Sequence, residues 1–220
     1  MMKTIVCFGD SNTWGFMPKT EGPAITADNR YPWGVRWTSL LQMKLGADYR
    51  VAEAGLNGRT TMFNCPMGDH RNGLADIDTT MLCQMPVDLV TIMLGTNDVK
   101  DFFGVTPVVI ARGALRLIEN IRAGGYGPHG ACPEILLMAP IRLHPDMEKQ
   151  WLGDEFGHDA LKKDADLGRY LDKTAKEAGV HFLNAGEFIT AHPADGIHMD
   201  ENGHALLAEK VYEKITEILK

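Results

Sequence analysis

Short, nearly unbroken apolar runs alternate along this chain with longer stretches whose apolar residues recur at helical spacing. Five runs read as strands: 4–8 (TIVCF), 49–52, 87–94 (VDLVTIML), 134–139 (EILLMA) and 180–183. A strand with one wetted face alternates apolar with polar residues. The first, third and fourth runs do not, so both of their faces must be covered, which is the pattern of a parallel sheet. Between the runs lie helical patterns over 35–45 (Leu40, Leu41, Leu45), 106–121 (Val109, Ile110, Leu117, Ile121), 159–178 and 203–219. Gly179 stands where a helix C-cap glycine belongs. The alternation predicts an α/β fold, a three-layer α/β/α arrangement around a five-stranded parallel sheet with right-handed crossovers. No internal repeat or linker interrupts it, so residues 1–220 read as one domain. Two long loops, 12–32 and 141–158, follow strand ends on the edge where open α/β sheets bind ligands.

Composition narrows the function classes. With 22 Lys+Arg against 29 Asp+Glu the formal charge is −7, and no basic run exists to neutralise phosphates, so no nucleic-acid partner is expected. No apolar stretch has the roughly 20 residues of a membrane-spanning helix, and the first ten residues lack the pattern of a signal peptide. Cys7, Cys65, Cys83 and Cys132 form no CxxC pair and read as reduced thiols, which points to the cytoplasm. The glycines of 9–15 match neither GxGxxG nor a P-loop, and there is no GxSxG or HExxH. His198 and His204 are six apart and give a metal little support; His129, His158 and His181 read as surface or loop residues. No cofactor is expected.

Four polar, glycine-containing segments remain: Gly9-Asp10-Ser11-Asn12 after the first strand, 54–61 (AGLNGRTT) after the second, Gly95-Thr96-Asn97-Asp98 after the third, and 195–200 (DGIHMD) before the last helix. Taken singly, each is ordinary turn and cap chemistry. Together, on one sheet edge, they supply a serine, a histidine base, a carboxylate to orient it and donors for an oxyanion.

In order and spacing, GDSN, GLNGRTT, GTND and DGIH resemble the four blocks of the SGNH hydrolase (GDSL-type esterase/lipase) superfamily. GDSNTWG and DGIHMDENGHALLA further resemble its arylesterase/acyltransferase subgroup. The resemblance implies a flavodoxin-like fold, Ser11 as nucleophile, His198 as general base and acid, and Asp195 as its orienting carboxylate. It places the oxyanion hole at the N–H groups of Ser11 and Gly58 and the amide of Asn97, with Gly55 as the alternative glycine. Asn12 replaces the leucine of the GDSL pattern, a departure that bears on the lining of the acyl pocket.

Asp10, Trp14, Trp33 and Thr96 are the candidate substrate contacts, and Asp10 and Asp98 are expected to tie the loops together beneath the serine. Trp14, Phe16, Tyr31, Trp33, Trp151 and Phe156 crowd the two long loops, suited to an aryl site or to a subunit interface. The expected partners are a small-molecule ester and, by resemblance, further copies of the chain in a homo-oligomer. Hydrolysis of short-chain aryl or alkyl esters, with acyl transfer to alcohols, is the first reading; carbohydrate O-acetyl esterase is the alternative. A non-catalytic binding module is the remote third. An acidic chain without a basic patch fits small neutral esters.

Overall fold

The computed structural model describes residues 2–21 and 26–220. Its five strands are β1 (Lys3–Gly9), β2 (Tyr49–Gly55), β3 (Leu89–Met93), β4 (Glu134–Ala139) and β5 (His181–Asn184). All pair in parallel in the order β2-β1-β3-β4-β5. The sheet grows outward to β2 on one side of β1 and to β3, β4 and β5 on the other. The switch in direction therefore falls between β1 and β3, where the diverging connections leave a crevice.

Seven helices accompany the strands among the described residues: α1 (Ser11–Trp14), α2 (Trp37–Leu45), α3 (Gly73–Gln84), α4 (Pro107–Gly124), α5 (Gly153–Phe156), α6 (Ala160–Ala178) and α7 (Glu201–Ile218). Successive strand residues point to opposite faces, and the core divides accordingly. Val6, Phe8, Val90, Ile92, Ile135 and Leu137 pack with α3, α4 and α6. Ile5, Cys7, Leu89, Met93, Leu136 and Met138 pack with α2 and α7. Three layers and two apolar seams result, as the unbroken apolar runs require.

The sequence missed α3. Its segment, GLADIDTTMLCQ, is half polar, and only Gly73, Ile77 and Met81 are buried. A parallel β2-to-β3 connection nevertheless needs a crossover of about a dozen residues, and Asn72 starts this one by accepting from the Ala75 N–H at 3.3 Å. β2 also runs on past Ala52 to Gly55. Glu53, which breaks the apolar run, is carried there by Arg36, whose Nε and Nη2 lie 3.0 and 2.7 Å from its carboxylate. Burial pushes the carboxyl up, but Arg36 first, then the Thr38 hydroxyl and Arg30, outweigh it and hold the carboxyl below its usual value. Of the two long loops, 12–32 holds most of α1 and an antiparallel bridge between Phe16 and Arg30, with residues 22–25 outside the described set. The loop 141–158 folds into a 3-10 turn at Met147–Lys149 followed by α5.

Candidate active site

Ser11 is the first residue of α1, directly after β1. Asp10 caps that helix by accepting the Asn12 N–H at 3.0 Å. The turn is tight: a methyl group on Gly9 would stand 2.1 Å from the Thr13 hydroxyl. Ser11 is thereby held at the crevice, only 6% exposed. Across from it, the segment 195–200 leads into α7, whose N-cap Asp200 accepts the Gly203 N–H at 2.8 Å. Asp195 Oδ1 accepts the N–H groups of Ile197 and His198 at 2.9 and 3.0 Å, which fixes the turn. Its other oxygen lies 2.7 Å from His198 Nδ1, and His198 Nε2 lies 2.8 Å from Ser11 Oγ.

These three side chains form one continuous line of hydrogen bonds. Asp195 is fully buried. Burial alone pushes its carboxyl up, but the His198 contact and the two backbone N–H groups outweigh burial and leave it below the usual carboxylate value. An ionised Asp195 holds the imidazole in the tautomer whose Nε2 accepts from serine. Phe16 packs on the other side of that ring, centroids 4.6 Å apart.

Asn12 is not among the residues that line the cavity beside Ser11. It is buried and spans from the serine turn to the histidine loop, donating to Ile197 carbonyl at 3.2 Å and accepting the Met199 N–H at 3.0 Å. The amide at this position is a clamp between two chain segments 185 residues apart, a role legible only in three dimensions.

The second and third blocks close the remaining side. Asn97 Nδ2 donates to Arg59 carbonyl at 3.1 Å, facing the 56–61 loop. The backbone N–H groups of Ser11 and Gly58 have no hydrogen-bond partner among the described residues, whereas Gly55 lies under α1, where a methyl group would stand 2.2 Å from Trp14 nitrogen. Asp98 accepts from Thr61 through both its backbone N–H (2.9 Å) and its hydroxyl (2.5 Å). Burial pushes Asp98 up to about 7 and Asp10 up to about 6. Arg59 ties the strand ends, donating to Gly9 and Ala54 carbonyls at 2.9 and 2.5 Å over the Phe8 ring.

A cavity of about 190 Å³ opens onto this arrangement, and its lining includes Ser11, His198, Gly58 and Asn97. Asp10, Trp14, Trp33 and Thr96 do not line it. Asp10 is the cap of α1, and Asp98 joins the 95–98 segment to the 56–61 loop through Thr61. Trp14 is covered by Arg30, 5.1 Å from its ring; Thr96 is buried beside the site, and Trp33 is 63% exposed. Of the loop aromatics, Phe16, Trp151 and Phe156 do reach the cavity. Sequence reasoning missed Arg71 and the Lys100–Glu155 ion pair on the cavity wall, since neither lies within a recognised block. His204 acts in packing: its Nδ1 accepts the Trp37 N–H at 3.2 Å, and burial lowers its pKa to about 3, so it is neutral.

The model of the GDSL-like lipase/acylhydrolase family matches residues 7–206. The chain belongs to that family. It is accordingly an enzyme of the carboxylic ester hydrolase class, on the SGNH hydrolase fold. Among solved structures, the native aryl esterase of M. smegmatis is similar to this family member with a TM-score of 0.90 and 34% identity, covering 98% of this chain and 99% of that one. Est24, a carbohydrate acetylesterase from Sinorhizobium meliloti, is similar with a TM-score of 0.89 and 34% identity over the same shares. A lipase/acylhydrolase from Enterococcus faecalis, at 20% identity and a TM-score of 0.69, shares the fold over 97% of this chain and 95% of that one. None of the curated proteins compared with the chain matches it. No helix among the described residues is long and apolar enough to cross a membrane.

Proposed function

We propose that this acylhydrolase-family member is a serine esterase of short-chain aryl or alkyl esters, working through an acyl-enzyme on Ser11 and passing the acyl group to water or to an alcohol. The observation that carries this reading is the line of hydrogen bonds from Asp195 through His198 to Ser11, ending at a small cavity. As Ser11 Oγ attacks the ester carbonyl, His198 Nε2 takes its proton and Asp195 stabilises the imidazolium. The N–H groups of Ser11 and Gly58 and the Asn97 amide receive the oxyanion, where fixed donors contribute most. His198 returns the proton to the departing alcohol. Water, activated by the same imidazole, then attacks the acyl-enzyme, releasing the acid and regenerating Ser11. The cavity, at about 190 Å³, is small beside common ligand pockets of roughly 300–1,000 Å³, which supports a short acyl chain.

Ser11→Ala should abolish turnover and covalent labelling by an organophosphonate. Labelling that persists at another residue would overturn the assignment. The equal identity to a carbohydrate acetylesterase favours a second reading, removal of sugar O-acetyl groups. Hydrolysis of p-nitrophenyl acetate, butyrate and octanoate, run beside an acetylated xylo-oligosaccharide, separates the two. Four free cysteines, with Cys7 buried, fit a reducing cytoplasmic setting. The exposed Trp33, Met67 and Phe102 fit contacts between copies of the chain in a homo-oligomer.

A further inference from the structure

Two cations line the cavity that opens onto Ser11, and the protein deals with them differently. Lys100 is only 5% exposed, ion-paired with Glu155 and set 5.0 Å from the centre of the Phe156 ring. Its charge is answered from within. Arg71 is half-buried, and among the described residues its guanidinium has no carboxylate at ion-pair distance; its one side-chain hydrogen bond runs from Nη1 to Cys65 Sγ at 3.4 Å. Asp69 and Asp76 line a small second hollow that Arg71 also borders. Neither pairs with it, and Asp76 lies 3.7 Å from Arg59 instead. Glu155, the carboxylate of the cavity wall, is taken by Lys100.

Arg71 is also held in place. Its carbonyl accepts from Thr60 N–H at 2.8 Å. Its side chain lies between two glycines: a methyl group on Gly58 would stand 2.7 Å from Nε, and one on Gly68 2.8 Å from Nε and Cζ. Gly58 is the proposed oxyanion donor, so the guanidinium sits beside the reacting end of the cavity. A charge kept half out of water without a partner is unfavourable until an anion meets it. A planar guanidinium matches a carboxylate or similar oxyanion with paired hydrogen bonds.

We propose that Arg71 determines specificity, and that the ester this enzyme takes carries an anionic group, a carboxylate or comparable oxyanion, seated against Arg71. This rests on the esterase reading above and replaces the expectation of a neutral ester. On a chain of net charge −7, an acidic substrate is repelled at long range, so the local cation must supply its recognition.

Two matched pairs of substrates place the anion on either side of the scissile bond: 4-acetoxybenzoate with its methyl ester, and ethyl hydrogen succinate with ethyl 4-methylpentanoate. The wild-type enzyme should prefer the anionic member of at least one pair in kcat/KM. Arg71→Gln should lower kcat/KM for that member by about 10- to 100-fold, the range for losing a charged hydrogen bond, and leave its neutral partner within about twofold; Arg71→Lys should restore part of the loss. In the wild type, the carboxylate product of the preferred ester should inhibit neutral-ester hydrolysis more tightly than its neutral analogue, a readout independent of any variant. No preference in either pair overturns the proposal. An equal loss on both members of a pair also overturns it, placing Arg71 in support of the oxyanion loop. A wild type inert toward all four esters fails the esterase reading itself, and the proposal falls with it.

Discussion

Asn12 shows how a single side chain can couple two distant loops. It answers a buried N–H at Met199 and a buried carbonyl at Ile197. A leucine there, as in the GDSL pattern, answers neither, and each orphaned group costs about 1–3 kcal/mol. Asn12→Leu should therefore lower the melting temperature by several degrees and reduce kcat more than it changes KM, because His198 sits between the two clamped residues. Unchanged melting and turnover would remove the clamp from the account. Titration supplies a second test. Asp98 at about 7, and Asp10 and Asp164 at about 6, stand above the ~3.9 of an unfolded aspartate. The folded protein thus holds protons that the unfolded chain releases, so the stability from these groups is full below about pH 4 and is lost as pH rises through 6 to 7. Asp195, held low, acts in the opposite sense: its contribution is present above the unfolded value and lost as pH falls through the folded one. Buried His204, lowered to about 3, acts with Asp195 up to about pH 6.5, so melting temperatures should decline from about pH 6.5 to pH 8, and Asp98→Asn should flatten part of the decline while keeping an acceptor for the Thr61 N–H. An equally steep decline in the variant contradicts this.

Among the elements, α1 is too short to hold itself, and its position comes from what it lies against. Gly55, at the end of β2, lets the backbone of Thr13 and Trp14 pass where a methyl group would stand 2.2 to 2.6 Å away. Gly55→Ala should push α1 and Ser11 off the His198 axis. A displacement of about 1 Å can cost about 10²-fold in rate, so kcat should fall by that order while the circular dichroism of the sheet and long helices persists. Full turnover in this variant would show that the turn can relax. The element scale also shows what was legible. The runs at 4–8, 87–94 and 134–139 were readable because a strand buried on both faces leaves no polar gap. α3 was not, because its stripe is only Gly73, Ile77 and Met81 wide, and a thin stripe does not stand out from a polar background. The end of β2 was hidden because Glu53 is neutralised by Arg36 and Arg30, partners remote in sequence.

At the scale of the whole molecule, the exposed Trp33, Met67 and Phe102 make assembly testable: sedimentation should give a mass above the 24.3 kDa of one chain. A strictly monomeric protein would end that proposal. The layered α/β fold and the four polar blocks followed from local pattern, because apolar periodicity and short motifs are properties of neighbouring residues. The resemblance of those blocks to the SGNH pattern implied Ser11, Asn97, Asp195 and His198, of which Asp195 and His198 share one block. The walls of the cavity did not follow from local pattern. Trp14 and Trp33 are candidate substrate contacts as aromatics of the long loop 12–32, yet neither lines the cavity beside Ser11; Arg71, eleven residues past Thr60, is brought back beside Gly58 by the bridge of Thr60 to Asn72. Which cation is paired, which glycine touches backbone and which amide joins two loops depend on long-range packing. The sequence determined the layers and the blocks that carry the proposed reacting groups, and the tertiary structure alone decided what surrounds them, because pairing and burial are relations between segments that no local pattern contains.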